Sequence, residues 1–130
     1  MRRRKRKIVI KLSFDEVPEF SDVQRPDYLL LLDDGEVVIV EETGRPEFRD
    51  VKRVENATLL LRARRPNLLH GIVPSRITGV VHFRSRDKTF SRYLSGEQKK
   101  FWDKYRILLL GVACERELRQ RLRIAFGESK

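Results

Sequence analysis

A single cysteine, Cys114, stands in the 130 residues, which excludes an internal disulfide and with it the stapled architecture of small secreted domains. Cys114 falls within a helical apolar pattern, where a buried, inert thiol is expected. Long apolar runs are missing too. No stretch approaches the roughly 20 residues of a membrane-spanning helix, so no membrane partner is expected. Residues 8–10 are followed at once by Lys11, too short a run for the core of a signal peptide, and a cytoplasmic location is the expectation. There is no glycine-rich phosphate loop, which argues against a nucleotide triphosphatase. Ser75, Ser85 and Ser91 lack a nucleophile-elbow context. His70 and His82 are the only histidines and, with one cysteine, do not make up the four ligands of a zinc site. Both read as structural or surface groups.

What is abundant is charge. Lys and Arg number 29 against 19 Asp and Glu, a net charge of +10, and a protein this basic usually meets polyanions. The Arg-rich, Cys-poor composition also suits a heat-adapted organism with surface ion-pair networks. Six of the first seven residues are basic, which predicts a flexible arm (Arg2, Arg3, Arg4, Lys5, Arg6, Lys7) ahead of one domain over residues 8–130. Two further basic groups are expected to reach a nucleic acid. One is the polar face of a helix (Arg45, Arg49, Lys52, Arg53), and the other spans Arg84, Arg86 and Lys88, interleaved with Phe83, Phe90 and Tyr93. Phe83 alternates with core positions and is expected inside.

The hydrophobic pattern predicts strands over residues 8–14, 27–32, 36–42 and 77–84 and a helix over about 46–64, ended by Pro66, with an apolar stripe Phe48, Val51, Val54, Thr58 and Leu61. Gly79 is read as a bulge. Residues 15–25 read as a loop or a single helical turn, and 85–95 as a basic loop or short strand. A long helix is expected from Glu97 to about residue 126. At that length it either breaks near Gly111 or packs against a second subunit, which would make a homodimer. The strands at 27–32 and 36–42 are nearly continuous apolar runs, the mark of central strands covered on both faces. The fold class expected is α/β: a small mixed sheet with a central hairpin, flanked by helices.

That hairpin is the most informative stretch. Pro26-Asp27 precedes it and Glu41-Glu42-Thr43 ends it, so carboxylates gather at its open end. If Asp34-Gly35 is a two-residue loop, Asp27 faces Glu42; if Asp33-Asp34-Gly35 is a three-residue loop with Gly35 left-handed, Asp27 faces Glu41. Carboxylates brought together need a cation or a proton. A purely ionic role also fits, with Glu41 and Glu42 paired to Arg45 and Arg49 and Asp27 capping a strand.

Pro-Asp, 13 further residues and then Glu, followed by a helix and a strand, resembles the PD-(D/E)XK nuclease superfamily, which includes restriction enzymes and archaeal Holliday-junction resolvases. The resemblance spans about residues 26–84. It implies a restriction-endonuclease-like fold, Mg²⁺ or Mn²⁺ held by Asp27 and Glu41 with Glu42 as the alternative ligand, and hydrolysis of phosphodiester bonds, in DNA rather than RNA. Thr43 stands where the family has lysine. Some members carry that lysine on the following helix, and Lys52 is the candidate here, with Arg49 and Arg53 behind it. Two other functions stay open: a nucleic-acid-binding module without catalysis, for which Thr43 speaks, and a protein–protein adaptor dimerising through the C-terminal helix.

Overall fold

The computed structural model describes residues 5–16, 26–44, 47–68, 76–84 and 88–124. They form a five-stranded mixed sheet in chain order, with helices on both faces. The strands are β1 (Ile8–Ser13), β2 (Tyr28–Leu32), β3 (Glu36–Thr43), β4 (Arg76–Phe83) and β5 (Leu108–Val112). A 3-10 turn, Phe14–Glu16, follows β1, and the helices are α1 (Phe48–Leu68), α2 (Lys88–Tyr105) and α3 (Glu115–Leu122). The first three strands are antiparallel neighbours, whereas β3, β4 and β5 run parallel. Each parallel connection is a helix, α1 and then α2, because a parallel return must recross the length of the sheet.

Alternation along the strands sorts the core into two layers. Leu29, Leu31, Val37, Ile39 and Val81 pack with Val51, Val54, Ala57 and Leu61 of α1 and Phe90, Leu94 and Phe101 of α2. Leu30, Leu32, Val38, Val40 and Val80 pack with Leu118 and Leu122 of α3. Burial on both faces explains why the central strands read as unbroken apolar runs. Strand β1, at the edge, has a register shift between Ile8 and Ile10, and Val9 is exposed there. A bulge of this kind disfavours pairing with another chain. None of the described helices is long and apolar enough to cross a membrane.

Several elements differ from the sequence expectation. The single long C-terminal helix is a helix, a strand and a second helix. It ends at Tyr105, Arg106 turns left-handed at φ 58°, and residues 108–112 join the sheet beside β4. A short leucine run satisfies helical and strand periodicity alike, and an open sheet edge decides between them. Helix α2 also begins earlier than expected, at Lys88, since Phe90, Leu94 and Phe101 share one buried face. Cys114 is exposed rather than buried. It is the N-cap of α3, with extended backbone, and its Sγ accepts from the Glu117 amide. Helix α1 runs past Pro66 to Leu68; a proline removes one hydrogen bond but does not have to end a helix near its last turn. Phe48 is not part of the α1 stripe: it is 62% exposed and stacks on Tyr93 at 4.3 Å between ring centroids. Arg6 is no flexible contact. It is buried, its backbone bridges to Ile124, and its side chain bonds Glu36 and the Leu122 carbonyl. Pairing with a buried carboxylate holds it where a solvated arm was expected. Residues 2–4 and most of 15–25 lie outside the described residues.

Gly79 is a close approach rather than a bulge, because its register with Ile39 and Leu109 is regular. A Cβ there would sit 2.5 Å from Cγ1 of Val54, a stiff β-branched side chain. We expect Gly79→Ala to cost about 1–3 kcal/mol by overpacking the α1–β4 contact, read as a lower urea midpoint at unchanged m-value.

Candidate active site at the open end of the hairpin

The β2–β3 turn decides which carboxylates meet. Gly35 has φ 93°, its amide bonds the Leu32 carbonyl at 2.9 Å, and the Glu36 amide bonds Oδ1 of Asp34 at 3.1 Å. This is the three-residue loop. Leu31 then pairs with Val37 and Tyr28 with Val40, and the same register sets Asp27 opposite Glu41. The Asp27 amide bonds the Val40 carbonyl at 3.0 Å, and its Oδ2 accepts from the Glu42 amide at 2.6 Å. Because side chains alternate, Glu41 points to the α1 layer and Glu42 to the α3 layer. Glu42 therefore does not share a face with Glu41. It lies opposite His82 in the β3–β4 register, its Oε2 3.5 Å from His82 Nδ1.

Helix α1 delivers the other members. It starts directly after β3, and Asp50 in its first turn reaches back to accept the Glu47 amide at 2.7 Å, a capping contact that holds the carboxyl inward. One turn on, Arg53 donates to Oε2 of Glu41 at 2.8 Å and approaches Asp50 at 3.9 Å. Asp27, Glu41, Asp50 and Arg53 thus gather where the parallel strands end at their carboxyl side, the usual site position in α/β sheets. The N-terminus of α1 adds its positive dipole end to the same place.

Glu41 is 2% exposed. Burial pushes its carboxyl up to about 8, and the hydrogen bond with Asp50 and the charge of Asp27 push the same way, against the pull of Arg53. The Arg53 guanidinium is in turn held more firmly protonated, chiefly by its hydrogen bond to Glu41. Tyr28, in the other layer, has its phenol raised by burial and by Glu42, Glu115 and Asp27.

Lys52 is not brought to these carboxylates. It lies on the exposed side of α1, paired with Glu55 at 3.3 Å. Helical geometry separates neighbours by about 100°, so when position 53 faces the sheet, 52 faces solvent. Among the described residues, Arg53 is the cation that meets these carboxylates. Arg49 is exposed and pairs with Glu47 at 2.8 Å, and Arg84 is exposed beyond the end of β4. Arg45, Arg86 and His70 lie outside the described residues, and Lys88 opens α2. Lys5 and Lys7 are exposed. Among the described residues, no three His, Cys, Asp or Glu side chains converge as a ready metal cage. Asp50 was missed in the sequence. The available signal was an acid in the first turn of a helix that follows directly on a carboxylate strand.

A carboxyl raised on folding stabilises the native state below its ordinary value and loses that contribution as pH rises toward its folded value. The protein should therefore lose stability through Glu41 as pH rises from about 4.5 through about 8. Glu41→Gln should flatten that slope, leaving the variant more stable than the parent at the alkaline end, measured as Tm across the range. For Arg6, removal leaves Glu36 buried with one partner fewer. Arg6→Ala should cost about 3 kcal/mol, measured by chemical denaturation.

Comparison of the chain with protein-family models, curated proteins and solved structures gave no match.

Proposed function

We propose that this chain is a metal-dependent nuclease, or a nuclease-like protein, acting on the phosphodiester backbone of DNA. The observation that carries the reading is the pairing of Asp27 with Glu41 on one face of the sheet end, with Asp50 and Arg53 beside them. Mg²⁺ typically takes one or two carboxylates and fills its remaining positions with water and substrate phosphate oxygens. Asp27 and Glu41 fit that requirement. Asp27 is exposed at the rim, Glu41 sits at the base, and their mutual repulsion is a cost that a shared cation removes. When bound, the metal would polarise the scissile phosphate and acidify an attacking water.

The chain's own groups do the rest. Glu41 gives up its proton on binding the cation, so affinity rises with pH. Arg53 stays charged throughout and can neutralise charge developing on the phosphoryl oxygens, the task that Thr43 cannot perform. A guanidinium does not accept a proton, so Arg53 serves as an electrostatic group and not as a base. The exposed Arg49 and Arg84 suit the backbone on either side, and their contribution is salt-sensitive.

A second reading is favoured by one contact. Arg53 already donates to Glu41 at 2.8 Å, and Thr43 stands in the lysine position. In a nucleic-acid-binding module without catalysis, Arg53 would be the permanent occupant of the place a metal takes. Labelled single-stranded, duplex and branched DNA and RNA, incubated with Mg²⁺ or Mn²⁺, separate the two. The nuclease reading expects metal-dependent cleavage abolished by Asp27→Ala, and a loss of about 10²-fold or more for Arg53→Ala. Salt-dependent binding without cleavage in any metal would replace it with the second reading.

A further inference from the structure

At the other end of the sheet, where β3, β4 and β5 begin, four arginines line one pocket. Arg6 comes from the segment before β1, Arg76 from the first residue of β4, Arg121 from the last turn of α3, and Arg123 from its C-cap. The pocket is about 250 Å³, and Leu108 and Leu110 of β5 form its apolar wall. Leu108 is 45% exposed there. Glu36 is the one carboxylate among the described residues of the lining, and it is already saturated. It accepts from Arg6 and from the Thr78 hydroxyl, and from Arg76 at 2.8 Å, which together hold its carboxyl below the usual range against the cost of burial. Asp34 reaches Arg6 from the turn at 3.1 Å, and Arg121 lies 3.9 Å from Glu117 one turn back on α3 and donates to the Gly111 carbonyl at 3.4 Å. Positive charge remains in excess over the lining. Arg6 is 5% exposed, and among the described residues its buried Nε–H has no hydrogen-bond partner, although an unpaired buried donor of a charged group is costly.

The geometry points to a phosphate-binding site in this pocket, with the tetrahedral oxyanion seated among Arg76, Arg121 and Arg123 and Arg6 as the buried positive floor. Guanidinium groups suit phosphate because their planar N–H pairs match two oxygens at once. Three independent segments supply them, so the site forms only in the folded chain. The leucine wall favours a phosphate carried on a partly apolar body, which a nucleotide unit provides. The phosphate source is either a nucleic-acid strand passing the back of the sheet or a free phosphate compound. This site does not rest on the carboxylate cluster, from which the full length of β3 separates it.

Arginine side-chain NMR tests the inference. The Nε–Hε resonances of the full chain would be followed while inorganic phosphate is added, and separately a short oligonucleotide, for the parent and for Arg121→Gln with Arg123→Gln. Both substitutions keep side-chain bulk at positions outside the core. Saturable shifts of Arg6 and Arg76 with inorganic phosphate, weakened about tenfold or more in the double variant, are expected. Shifts of the same signals with the oligonucleotide identify a nucleic-acid strand as the source. Shifts with phosphate alone keep the site and assign it to a free phosphate compound. Absence of shifts with either, or shifts unaltered in the double variant, overturns the proposal. Asp27→Ala should leave these shifts unchanged, so a failure of the nuclease reading and a failure of this one are distinguishable.

Discussion

The left-handed glycine of the β2–β3 turn sets the register of the two central strands, and the carboxylates of β3 take their faces from that register. With Gly35 at φ 93°, three residues close the hairpin and Asp27 stands opposite Glu41. A two-residue loop would slide β3 by one position and turn Glu41 into the α3 layer, away from Asp50 and Arg53. The unbroken valine and leucine runs would tolerate that slip, since both faces of these strands are buried. Register here is therefore fixed by turn chemistry and by the buried ionic partners, rather than by the hydrophobic pattern.

Two glutamates on β3 illustrate how environment divides one residue type into two roles. Glu36, at the start of the strand, is 1% exposed and Glu41, near its end, is 2% exposed. Glu36 receives Arg6, Arg76 and Thr78 and is held ionised. Glu41 receives one guanidinium and shares a hydrogen bond with another carboxyl, so burial prevails and the proton is favoured. The first is a fastening, joining the N-terminal segment to the body of the sheet. The second is a poised group that a cation or a change of pH can alter.

Much of the architecture was legible. The central hairpin, the strand ahead of it, the helix after it and the parallel return strand all follow from short apolar runs punctuated by Asp-Gly, Gly-x-Pro and a three-four apolar spacing. The end of the chain was not. Residues 107–112 satisfy a helix and a strand equally, and what selects the strand is the open edge of β4, a partner that no local window contains. Arg6 misled for a related reason. Among consecutive basic residues nothing marks the one that finds a buried glutamate 30 positions later.

For the candidate site, the sequence by itself determined the inventory: carboxylates at the open end of a hairpin, Thr43 just after them, a basic helix behind it, and a strong excess of positive charge. Composition and local spacing fix these because they are properties of neighbours along the chain. The tertiary structure alone decided which of them meet. It chose Glu41 over Glu42 through one turn glycine, and Arg53 over Lys52 through the phase of a helix against a sheet. It brought Asp50 in through a capping contact and placed four arginines from three segments around one pocket. Those selections depend on angles and on long-range partners, and a difference of one residue in register or of about 100° on a helix reverses them.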